Sequence, residues 1–132
     1  MTIVITGASR GIGAGLAAHY TAAGEDVVGT GRSVAATLQL DVTQPASHAA
    51  MAEALEERAV DLLICNAGVL YGRGGITADG YTEDEWLQTM MTNVAGVFFT
   101  VRSFRSNVVA TKGRIAVISS QMGSSTQAKA SA

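Results

Sequence analysis

The 132 residues are enough to bury a core, and 48% of them are apolar, with alanine and glycine prominent. A formal charge of −2 gives no electrostatic reason for a nucleic-acid or anionic-membrane partner, and no apolar run approaches the roughly 20 residues of a membrane span. The N-terminus opens into a core strand rather than a basic leader, so the expectation is a cytoplasmic protein, and the single cysteine, Cys65, excludes an intrachain disulfide or a Cys-rich zinc site.

In chain order, the β-branched run Ile3-Val4-Ile5 predicts a strand and the stretch from Ala14 to Ala23 a helix. Between them lies Thr6-Gly7-Ala8-Ser9-Arg10-Gly11-Ile12-Gly13. Gly7 suits a tight turn out of the strand, Gly11 a close approach of backbone to ligand, and Gly13 a helix seated against the sheet. The free amides and positive dipole end of the helix then face a pyrophosphate. Strand and helix flanks make this a cofactor-phosphate loop, with Ser9, Arg10 and Ile12 in its wall.

After that helix, in which Ile12, Leu16 and Tyr20 share a face, Gly24 supplies a stop and Val27-Val28 begin a second strand. A third runs from Thr37 to Val42, so close behind that the intervening crossover is a very short helix or a loop. Pro45 suits the first turn of a helix that turns Met51, Leu55 and Ala59 inward. The fourth strand spans Asp61 to Asn66, with Cys65 as a small buried member. Thr82 and Glu85 form a capping box for the longest helix, whose apolar positions Trp86, Met90, Val94, Val97, Val101 and Phe104 recur every three or four residues and predict its packed face. Arg114 to Ser119 is the fifth strand. His19 and His48 fall on solvated helix faces without ligand-like company, so no metal site is expected. Strands alternating with helices predict an α/β fold, a doubly wound parallel sheet with ligands at the carboxyl ends of its strands.

Nucleotide choice is set where the second strand ends, at Gly29-Thr30-Gly31-Arg32-Ser33. An acidic side chain there would accept hydrogen bonds from ribose hydroxyls and repel a 2′-phosphate, but none is present. Arg32 offers a planar cationic fork for a phosphate, and Arg10 approaches from the other side of the loop. A single exposed arginine usually just solvates a loop. Two flanking one pocket favour NADP over NAD.

The spacing of Gly7, Gly11 and Gly13 resembles that of the short-chain dehydrogenase/reductase family, and four further matches follow in family order. These are Asp41 closing the run from Thr37, Asn66-Ala67-Gly68 closing the fourth strand, Asn93-Val94-Ala95-Gly96 in the long helix, and Ile118-Ser119-Ser120 at the end of the fifth strand. The resemblance implies a Rossmann-like sheet, incomplete at its C-terminal side, with residues 1–132 as one cofactor-binding domain covering about the first half of the family's domain. It implies that Asp41, with Val42, meets the adenine and that Asn66 supports the central sheet, though Asn66 could equally form a strand-end turn. Ala67 and Gly68 then leave room for the cofactor. Asn93 would hold a relay water through its backbone, and Ser120 would hydrogen-bond a carbonyl or hydroxyl substrate.

The family's acid/base is a tyrosine followed four positions later by a lysine, and no Tyr-x-x-x-Lys occurs in these residues. The expected function is therefore an NADP-dependent carbonyl reductase or alcohol dehydrogenase represented by its cofactor-binding portion; the alternative is a catalytically inactive nucleotide-binding or interaction module. The segment Tyr71 to Ile76 is either a substrate contact or a surface loop. A fifth strand left at a sheet edge would invite another chain, so a homo-oligomer is expected.

Overall fold

The computed structural model describes residues 1–33, 36–71, 80–124 and 126. Five strands, β1 (Thr2–Ile5), β2 (Asp26–Gly31), β3 (Leu38–Gln39), β4 (Leu62–Cys65) and β5 (Arg114–Val117), form one parallel sheet in the order β3-β2-β1-β4-β5. The helices are α1 (Gly11–Ala22), α2 (Pro45–Leu55), α3 (Glu83–Met90) and α4 (Gly96–Ala110). A π-helical turn, Met91–Ala95, joins α3 to α4, and a 3-10 turn, Gln121–Gly123, follows β5.

Strand alternation sends side chains to opposite faces and so defines two cores. Ile3, Ile5 and Ile64 pack with Leu16, Ala17 and Tyr20 of α1. Val4, Val28, Leu63 and Cys65 face the other way, onto Met51 and Leu55 of α2 and Phe104 and Val108 of α4. Helices thus cover both faces, as the alternation predicts. No helix is long and apolar enough to cross a membrane among the described residues.

The boundaries shift at several places. The third strand is only Leu38–Gln39, and α2 stops at Leu55 because Glu56 turns left-handed (φ 54°), which leaves Ala59 outside it. Asn107 of α4 fixes that turn by donating from Nδ2 to the carbonyls of Glu56 (3.0 Å) and Arg58 (2.8 Å). β5 ends at Val117 rather than Ser119.

Three side-chain expectations fail, the first at Ala59, predicted to face inward and exposed. Trp86, Met90 and Val94, predicted on a packed face, are 55%, 40% and 57% exposed, whereas Val97, Val101 and Phe104 do meet the core. The π turn, which contains Val94, inserts extra backbone ahead of Val97, so the positions no longer form one stripe. Among the described residues α3 packs on no strand. His48, predicted on a solvated face, is buried instead, because α4 covers it: Nδ1 lies 3.0 Å from Ser103 Oγ and Nε2 3.0 Å from the Val42 carbonyl. Cys65 is buried as expected, and the loss of solvent pushes its thiol up to about 11.

Thr30, beside Leu38 in the β2–β3 register, is buried, and its hydroxyl is the single buried side-chain polar atom without a hydrogen-bond partner among the described residues. A methyl in its place removes that desolvation cost at nearly constant volume. Thr30→Val should therefore raise stability by about 1 kcal/mol, seen as a higher urea midpoint at unchanged m-value. An equal or lower midpoint would show that the hydroxyl is satisfied in solution.

Candidate functional site

The carboxyl ends of β1, β2 and β4 open onto a cleft of about 380 Å³. Its floor is the glycine loop. Gly7 holds φ at 67°, a left-handed conformation open to glycine, and turns the chain off β1. The loop is tied to both neighbouring strands: the Thr6 amide donates to the Ile64 carbonyl (3.0 Å) and the Ala8 amide to the Thr30 carbonyl (2.9 Å). Gly13 is buried under the loop, where a Cβ would lie 2.5 Å from Asn66 Nδ2 and well inside contact distance of the Gly7 carbonyl oxygen. Only a residue without a side chain lets α1 start so close to the sheet. The first amides of a helix lack intrahelical acceptors, and those of α1 begin at Gly11 and Ile12, which line the cleft.

Asn66 secures the loop from the β4 side. Its Nδ2 donates to the carbonyls of Thr6 and Gly7, both at 3.1 Å, while its own amide and that of Ala67 donate to Thr6 Oγ1 at 3.0 and 3.1 Å. The sheet-supporting arrangement is therefore the one present, and the side chain caps the loop rather than its own backbone. Asp41 lies past β3 and closes a local turn, Oδ1 accepting from the Thr43 amide (3.0 Å) and hydroxyl (2.7 Å).

Gly7, Ser9, Arg10, Gly11, Ile12, Arg32, Asp41, Val42, Asn66, Ala67 and Gly68 all line this one cleft, and Gly13 lies buried beneath it. Arg10 and Arg32 are both exposed at its rim, and no carboxylate follows β2 before Ser33. The two residues assigned to chemistry lie elsewhere. Ser120 is exposed just beyond β5, its carbonyl accepting from the Gly123 amide (2.9 Å), at the same end of the sheet but outside the cleft lining. Asn93, in the π turn, uses its side chain on Val69: Nδ2 donates to the Val69 carbonyl and Oδ1 accepts from the Val69 amide, each at 2.8 Å. That pair pins the segment after β4 to the long helix.

Gln88 and Thr92 also line the cleft, as does Val69. Both are polar and stand four residues apart on one helical face, so a search for an apolar stripe passes over them. The one signal available was a polar Asn93 in an apolar helical run. Tyr71 lines the cleft too, whereas Gly72 to Ile76 lie outside the described residues.

The short chain dehydrogenase family profile matches residues 1–132. The 3-oxoacyl-(acyl-carrier-protein) reductase FabG of Salmonella typhimurium is 34% identical over 140 aligned positions, covering 91% of this chain and 54% of that protein. The 2-dehydro-3-deoxy-D-gluconate 5-dehydrogenase of Bacillus subtilis is 30% identical, covering 74% of this chain and 43% of its own length. Among solved structures, a short-chain dehydrogenase/reductase from Burkholderia multivorans with bound NADP superposes with a TM-score of 0.83 at 29% identity, covering 98% of this chain and 63% of the other. The chain spans about half the length of the curated relatives it matches.

Proposed function

The chain belongs to the short-chain dehydrogenase family, and from that premise we propose an NADP-dependent oxidoreductase, acting between a carbonyl and its alcohol, of which these 132 residues are one cofactor-binding unit. The observation that carries the cofactor choice is the pair Arg10 and Arg32 on one cleft, with no acid at the end of β2 to repel a 2′-phosphate. The NADP held by the Burkholderia structure supports the same reading.

The residues present fit such a group. The left-handed turn at Gly7 and the first amides of α1 suit a pyrophosphate, and Arg10 and Arg32 suit the 2′-phosphate. Asp41 and Val42 would flank the adenine, and Ala67 and Gly68 the far ribose, over the loop that Asn66 braces. Bound NADPH supplies a hydride from its nicotinamide C4 to the substrate carbon. Ser120 would hydrogen-bond the substrate oxygen, and Asn93, its side chain committed to Val69, would hold a relay water through its backbone. The proton donor is not among these residues, which contain no Tyr-x-x-x-Lys.

We further read the protein as a cytoplasmic homo-oligomer; the support for self-association is the exposed apolar side chains Leu87, Met91, Val94 and Phe98 along α3, the π turn and α4. The cofactor reading is tested by titrating NADPH and NADH calorimetrically. NADPH should bind more tightly, and Arg32→Ala should remove most of the difference, about 1–3 kcal/mol for a charge-assisted contact. Equal affinities for the unmutated protein would overturn it.

A further inference from the structure

One cleft wall, Asp41-Val42-Thr43, belongs to neither a strand nor a helix, yet all three residues line the site. Its hold comes from beneath. The Asp41 amide donates to Ser47 Oγ at 2.8 Å, and the Val42 carbonyl lies 3.0 Å from His48 Nε2, both partners in the first turn of α2. A carbonyl only accepts, so Nε2 carries the hydrogen. The other face of the ring reaches α4, where Nδ1 lies 3.0 Å from Ser103 Oγ, itself 2.7 Å from the Phe99 carbonyl, and the Phe99 ring stands edge-on 5.9 Å away. Val42 also seats its side chain on Gly96 of α4, where a Cβ would fall 2.7 Å from Val42 Cγ2.

With the hydrogen on Nε2, Nδ1 accepts, and the single Ser103 hydroxyl hydrogen is shared between Nδ1 and the Phe99 carbonyl; a buried histidine so placed, spanning two helices and ending on a cleft-wall carbonyl, exceeds what core filling requires. Resting on the NADP reading, we propose that His48 is a positioning residue for the nucleobase-side wall: Nε2 fixes the Val42 carbonyl, and Ser103 fixes the ring. The wall's conformation is thereby set by α4, through a side chain that never touches the ligand.

Two amide variants separate positioning from filling, because Gln places its nitrogen near the Nε2 position and Asn near Nδ1. His48→Gln should keep NADPH affinity within about twofold. His48→Asn should weaken it roughly tenfold, the equivalent of one lost buried hydrogen bond, with the same factor for adenosine 2′,5′-bisphosphate. Without ligand, amide hydrogen exchange at Asp41 and Thr43 should accelerate in His48→Asn and stay unchanged in His48→Gln. Should His48→Asn fail to fold, Ser103→Ala retains Nε2 and frees the ring, and is expected to speed the same amides and weaken binding about threefold. Gln and Asn variants with equal exchange, or a Ser103→Ala variant with unchanged exchange, would overturn the proposal. If the unmutated protein binds no NADPH, the cofactor reading falls, while the ligand-free exchange contrast still decides whether His48 positions the wall.

Discussion

Gly13→Ala is expected to abolish NADPH binding and to lower stability by about 3 kcal/mol or more. Helix propensity alone predicts the reverse, since alanine inside a helix is worth about 1 kcal/mol over glycine. The contacts decide the sign. A Cβ at this position lands 2.5 Å from Asn66 Nδ2 and closer still to the Gly7 carbonyl, so either α1 moves away from the sheet or the loop gives up its turn. Neither neighbour is the free end of a flexible side chain: one is backbone, and the other is an amide holding two carbonyls at 3.1 Å. Urea unfolding followed by circular dichroism measures the first effect and calorimetry the second. A variant as stable as the unmutated protein would mean that the loop is not packed as described.

Asn66→Asp addresses the same knot from the β4 side. At pH 7 it replaces two donated hydrogen bonds with a carboxylate facing the Thr6 and Gly7 carbonyl oxygens, all of them acceptors. Two lost bonds and the repulsion together should cost about 3 kcal/mol. The pH dependence follows in sign. The native fold favours the protonated acid, which can still donate one bond, so the new group's folded pKa lies above its unfolded value of about 3.9. Native protein then binds more protons than unfolded, and stability falls as pH rises through that interval. The deficit against the unmutated protein should therefore be smaller near pH 4 than at pH 7 in denaturant titrations. A deficit independent of pH would place the Asn66 side chain outside the loop, in solvent.

Much of this site was legible because its signals are local. A β-branched run, three glycines at fixed offsets and a helical stretch lie within the first 23 residues, and their conformations follow from steric freedom at Gly7 and missing volume at Gly13. The capping box at Thr82 and Glu85 forms as written, with both reciprocal hydrogen bonds present. Asn66 and Asp41 lie close to the cleft for the same reason, because each directly follows a short apolar run that becomes a strand or its continuation.

The sequence by itself determined the alternation of elements, the parallel sheet and the end of the sheet that carries the cleft, since period, turn chemistry and crossover length are properties of adjacent residues. The tertiary structure alone decided which helical faces are covered. His48 is buried because α4 lies over α2, and the apolar residues of α3 are exposed because among the described residues α3 packs on no strand. It also decided that Asn93 spends its side chain on Val69, twenty-four residues away, and that Thr92 faces the cleft. Burial and hydrogen-bond partners depend on segments far apart in the chain, and no window of neighbouring residues contains that information.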